Sequence, residues 1–157
     1  MIPEDQQEAS VTAHNPEELI TQGIKAANTG KTAEALECLE PAVKLRSTPT
    51  AWSYLAYCLA RERGQVEHAI KICEEAIRKD PRASAHYLNL GRVLLLAERR
   101  SEAIQTLRQG LLYESNPRIK TELHRLGLRK PPVLGFLKRE HPLNKYLGIM
   151  LVKMRLR

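Results

Sequence analysis

Apolar and polar positions follow one another along most of this chain with the periodicity of amphipathic helices, and the same stripe returns at one fixed interval. Ala35, Ala69 and Ala103 mark that interval, as do Leu36, Ile70 and Ile104; Leu39, Cys73 and Leu107; Ala42, Ala76 and Gly110; and Val43, Ile77 and Leu111. Their spacing within each copy traces the i, i+3/i+4, i+7 face of a helix, with small residues where another helix approaches closely. A partner helix precedes each stripe, signalled by Leu19-x-x-Gln22-Gly23, Trp52-x-x-Leu55-Ala56 and Tyr87-x-x-Leu90-Gly91. Gly23 and Gly91 precede Ala35 and Ala103 by the same separation, whereas Ala56 stands one position further from Ala69, which predicts one extra residue in the turn at Arg61-Glu62-Arg63-Gly64-Gln65. Each repeat therefore reads as helix, short turn, helix.

Local chemistry marks the boundaries. Asn15-Pro16-Glu17-Glu18 combines an N-cap, a proline in the first turn and acidic residues that complement the helix dipole, so a helix starts at Pro16. Gly30 and Gly64 stop first helices, Asp80-Pro81 ends the second unit, and Ser115-Asn116-Pro117 opens a last helix reaching about Leu126. Pro41 falls inside a second helix, where it removes a backbone hydrogen bond at a cost of about 3 kcal/mol; a kink rather than a break is expected.

These signatures resemble the tetratricopeptide repeat. Trp52, Leu55, Ala56 and Leu59, then Ala69, Cys73, Ala76 and Pro81, match its pattern best; Tyr87, Leu90, Gly91, Leu94, Ala103, Leu107 and Gly110 follow it in the third unit. The first unit, with Leu19, Gln22, Gly23, Ala26, Ala35, Leu39 and Ala42, is the weakest match, as terminal units with one neighbour often are. The resemblance implies an all-α fold: a right-handed α-solenoid of three units at about 16–48, 49–82 and 83–116, with a capping helix at 117–128. A disordered acidic segment at 1–15 would precede it and a Pro-containing basic amphipathic tail at 129–157 would follow. It also implies a concave groove, lined by the first helices, that takes an extended peptide or a partner's helix.

The faces turned away from the packing stripe place Ile20, Ile24, Asn28, Ser53, Tyr57, Arg61, Leu88, Arg92 and Leu95 in that groove. Some members of the family hold a chaperone's C-terminal carboxylate with a clamp of Lys, Asn and Arg. Ile20, Ile24, Tyr54, Ala85 and Asn89 stand at the corresponding surfaces here, without a lysine cluster, so a cochaperone role is not expected. The expected ligand is instead an amphipathic protein segment with an acidic group, and the chain looks like a small stand-alone bacterial repeat protein.

Charge adds a second element. The chain of 157 residues carries a net +7, yet residues up to Pro117 sum to −2 and residues 118–157 to +9. A basic end of this kind meets something acidic, which leaves a membrane-surface or nucleic-acid adaptor as the alternative function. Leu143, Tyr146, Leu147, Met150, Leu151 and Met154 in that tail fall at helical spacing. Such a stripe needs a surface to bury it: the last repeat, the tail of a second copy in a homodimer, or an anionic membrane.

Chemistry is otherwise sparse. His14, His68, His86, His124 and His141 form no metal-ligand pair, and His68 and His86 are expected at exposed or rim positions. Nucleophile-elbow and phosphate-loop motifs are missing; Gly30-Lys31-Thr32 follows a helix rather than a strand. No enzyme activity, cofactor, metal or small-molecule substrate is therefore expected. Cys38, Cys58 and Cys73 have no C-x-x-C spacing and read as core filler in a reducing compartment. An acidic N-terminus unlike a signal peptide, and the lack of an uncharged apolar run of about 18 residues, make the cytoplasm the expected location.

Overall fold

Asn15 opens the first helix as its sequence predicts: the side-chain oxygen accepts a hydrogen bond from the Glu17 N–H at 3.1 Å, and Pro16 occupies the first turn. The computed structural model describes residues 15–127 together with Tyr146 and Met150. All regular structure among the described residues is helical, in the order α1 (Pro16–Asn28), α2 (Thr32–Leu45), α3 (Pro49–Arg63), α4 (Val66–Lys79), α5 (Ser84–Leu96), α6 (Arg100–Tyr113) and α7 (Pro117–Arg125). The three helical pairs all lie in the first of two compact units, which ends at Leu123. Each helix from α1 to α6 packs on its neighbour in sequence, and α3 also meets α1 and α5, which is the contact order of a helical solenoid. The expectations for residues 1–14 and for the amphipathic tail fall outside the described residues, apart from Tyr146 and Met150, both exposed.

Burial follows the repeated stripe. Ala35, Ala69, Ala103, Leu39, Cys73, Leu107 and Ala42 are fully buried. Close approach at the small positions is literal: a Cβ added to Gly23 would lie 2.6 Å from Leu39 Cγ, and one added to Gly91 would lie 2.7 Å from Leu107 Cγ. The same glycine-on-leucine contact thus joins the two helices of the first unit and, again, the two helices of the third. Helix α2 runs unbroken through the exposed Pro41.

The middle unit carries its extra residue where the sequence predicts it. Helices α2, α4 and α6 begin at Thr32, Val66 and Arg100 and so keep the period of the stripe, as do the turn glycines Gly30 and Gly64. Helix α3 starts one residue early for that period, at Pro49 behind a Thr48 side chain that accepts from the Ala51 N–H at 3.2 Å, and runs on to Arg63, so the extra residue sits at its C-terminal end, ahead of Gly64. Counted from the helix starts at Pro16, Pro49 and Ser84, Trp52 stands in register with Leu19 and Tyr87, and the fully buried Ala56, packed with Ala69, Ile70 and Cys73, stands in register with Gly23 and Gly91, as the sequence predicts.

The turns inside the units keep the period as well. Gly30 (φ 84°), Gly64 (φ 66°) and Glu98 (φ 60°) occupy equivalent positions with left-handed backbone, and only Glu98 carries a Cβ there. A side chain costs roughly 1–2 kcal/mol in that region, partly offset by the unfolded-state entropy that glycine adds. Because Glu98 is exposed, Glu98→Gly is expected to raise stability by about 0.5–1 kcal/mol in a thermal or denaturant melt. A melt no higher than that of the wild type would show that the turn is not strained.

Candidate functional site

The first helices of the units carry a connected row of polar and aromatic side chains. Asn28, at the end of α1, donates from Nδ2 to the hydroxyl of Tyr54 on α3 at 3.2 Å and accepts at Oδ1 from Arg92 Nη1 on α5 at 3.3 Å. The Arg92 guanidinium also lies over the ring of Tyr57, 5.1 Å from its centroid, within the range of a cation–π contact. Its Nε donates to Glu122 on α7 at 3.4 Å, in an ion pair with Arg92 11% and Glu122 15% exposed. One arginine thus ties together side chains from α1, α3, α5 and α7.

Asn28, Tyr57 and Arg92 are three of the nine residues that the sequence placed in a groove, and the structure brings them together. Arg61 is exposed on α3, one helical turn beyond Tyr57 on the same face. Ile20, Ile24 and Leu95 are half-buried and lean on the core. Ser53 and Leu88, by contrast, are fully buried and offer no surface to a ligand; Ser53 is instead bonded to His86 and Asn89 of α5. Tyr54 and Glu122 were missed as members of the row. Nothing in a single sequence pairs Glu122 with an arginine on a separate helix of the preceding unit.

A second polar group lies inside the array. His86 is fully buried, against the expectation of a rim position, because α5 has close neighbours in both α3 and α4. Ser53 Oγ donates to the Thr50 carbonyl at 3.0 Å and accepts from Asn89 Nδ2 at 3.1 Å. Its only hydrogen being committed, the 3.0 Å contact with His86 Nδ1 requires Nδ1–H as donor and leaves Nε2 as a bare acceptor. Neither His86 Nε2 nor the buried Asn89 Oδ1 has a hydrogen-bond partner among the described residues. Burial lowers the His86 pKa from its ordinary value, with Asp80 pulling more weakly the other way.

The remaining candidate chemistry is inert. Burial, with a smaller push from Glu62, raises the Cys58 thiol to about 12, and burial raises Cys73 further. No three His, Cys, Asp or Glu side chains among the described residues gather as metal ligands. None of the described helices is long and apolar enough to cross a membrane.

Tetratricopeptide-repeat sequences match residues 20–81 and, in a second overlapping stretch, 60–124, so the two together span about two thirds of the chain. The chain belongs to the tetratricopeptide-repeat family. Its fold is similar to that of solved repeat domains at 20–24% identity. The first such domain of the human RPAP3 protein matches with a TM-score of 0.56 and 21% identity over 73% of this chain and 91% of its own. The Arabidopsis OM64 domain matches with a TM-score of 0.55 and 24% identity, over 71% and 93%. The first repeat domain of Spaghetti (RPAP3), solved with the HSP90 peptide SRMEEVD, gives 0.55 and 20% identity over 71% and 92%. No curated protein sequence matches significantly. Of the residues that the sequence of this repeat protein sets against a carboxylate clamp, Tyr54 and Asn89 are buried and Ile20, Ile24 and Ala85 are half-buried.

Proposed function

We propose that this repeat protein is a non-catalytic, cytoplasmic scaffold that binds a peptide or helix of a partner protein along the face of its first helices. The observation that carries the reading is the row from Asn28 through Tyr54, Tyr57 and Arg92 to Glu122, which holds aromatic and guanidinium groups rigid before any ligand arrives. Pre-ordered Tyr and Arg side chains are favoured anchors, since little conformational entropy remains to be lost on binding. Ile20, Ile24 and Leu95 flank the row as apolar contacts, which suits an amphipathic ligand.

An acidic group on that ligand would meet Arg61 rather than Arg92. Arg61 is exposed, whereas Arg92 is already neutralised by Glu122 and bonded to Asn28. For the same reason Arg92→Glu is a poor probe: it would set two carboxylates side by side and unfold part of what it tests. Arg61→Glu avoids this. In a pull-down followed by titration of the captured protein, Arg61→Glu is expected to weaken binding about tenfold at an unchanged melting temperature. Deleting residues 130–157 is expected to leave that binding intact. Binding that is lost with the tail, and that falls steeply with salt on RNA or anionic vesicles, would favour the adaptor reading, which rests on the +9 carried by residues 118–157.

A further inference from the structure

A pocket of about 620 Å³ opens between the start of α3 and the outward face of α4. Pro49, Trp52, Ile72 and Ala76 give it an apolar floor. The Trp52 indole is held in place by its N–H, which donates to Ser47 Oγ at 2.8 Å. Around the rim stand Lys71, Arg78 and Lys79, with Glu75 as the one carboxylate. Glu75 is shared between Arg78 and Lys79, the latter 3.8 Å away, so one negative charge serves two cations, and Lys71 is paired with none of the described carboxylates. The rim therefore keeps an excess of positive charge over a floor of indole and aliphatic carbon.

We propose that this pocket is a second docking site, for an acidic peptide segment that carries a bulky apolar side chain. The apolar side chain packs on Trp52 and Ile72, and flanking carboxylates meet Lys71, Arg78 and Lys79. Its volume lies within the roughly 300–1,000 Å³ range of ligand pockets, and an apolar floor with a few charged groups at its edge is the usual composition of one. The pocket is separate from the face described above: Trp52 and Tyr57 both lie on α3, but their positions fall about 140° apart around its axis. Binding here neither requires nor blocks a ligand on the first helices.

Trp52 is the chain's single tryptophan, so its fluorescence reports on this pocket alone. The probe is a synthetic acetylated peptide amide, Glu-Glu-Leu-Phe-Glu-Glu, with Lys-Lys-Leu-Phe-Lys-Lys as its charge-reversed counterpart. The acidic peptide is expected to give a saturable change in Trp52 emission that weakens with added salt, and the basic peptide none. Lys71→Glu, at an exposed position, is expected to weaken the acidic peptide about tenfold without moving the melting temperature, while Arg61→Glu leaves it unchanged. The proposal is overturned if the two peptides bind alike, if Lys71→Glu binds as the wild type does, or if the acidic peptide produces no saturable change. Loss of the signal in Arg61→Glu but not in Lys71→Glu would overturn it too, by placing the peptide on the first-helix face instead.

Discussion

Gly110→Ala is expected to destabilise the array by about 2 kcal/mol, although alanine is the better helix former by roughly 0.8–1 kcal/mol. The two preceding units carry alanine at the same repeat position, Ala42 and Ala76, so sequence alone makes the change look harmless. Opposite Gly110, however, stands Tyr87 where the earlier units have Leu19 and Trp52. A Cβ on residue 110 would lie 2.7 Å from Tyr87 Cβ and 2.9 Å from Ile119 Cδ1 of α7, both below the separations that carbon atoms tolerate. Tyr87 has little freedom to give way: its hydroxyl donates to the Pro81 carbonyl at 2.9 Å, and its ring stacks on Tyr113 with centroids 5.5 Å apart. Ile119 is fully buried and equally confined.

The check is a double-mutant cycle in chemical denaturation. Tyr87→Leu recreates the Leu19/Ala42 pairing of the first unit, so Gly110→Ala should cost distinctly less in that background than in the wild type, with a coupling of about 1 kcal/mol. Additive effects of the two substitutions would show that Tyr87 does not set the size limit at residue 110.

Acidification is expected to loosen the same array through His86. Because burial holds the folded-state pKa of His86 below its unfolded value, the unfolded chain binds more protons once the pH falls beneath about 6.5. The stability that neutral His86 contributes is thus complete above that pH and is lost progressively as pH falls toward the folded pKa, at up to about 1.4 kcal/mol per pH unit. Protonation would also place a charged Nε2–H where no acceptor waits among the described residues. His86→Gln keeps a neutral donor for Ser53 Oγ at every pH. Melting temperatures measured between about pH 7 and pH 5 should fall in the wild type and stay nearly level in His86→Gln; parallel slopes would remove His86 as the cause.

The architecture was legible in the sequence because it is local and repeated. A helix announces itself through the spacing of Ala69, Ile70, Cys73 and Ala76, a turn through Gly30 and Gly64, a start through Asn15-Pro16, and three copies at one period leave little choice of how the pairs stack. Residues that meet only in three dimensions were another matter. Burial of Ser53, Leu88 and His86 depends on which neighbours cover α3 and α5, and a single helix's periodicity cannot report that. The engagement of Arg92 with Asn28, Tyr57 and Glu122 joins four helices from one end of the array to the other, and it decides which cation is left for a ligand. The sequence by itself determined the helices, their pairing and the small residues of the stripe, since each follows from contacts repeated at a fixed short separation. Tertiary structure alone decided the size limit at Gly110, the neutral state of His86 and the charge available on the binding face, because each depends on side chains brought together from different helices.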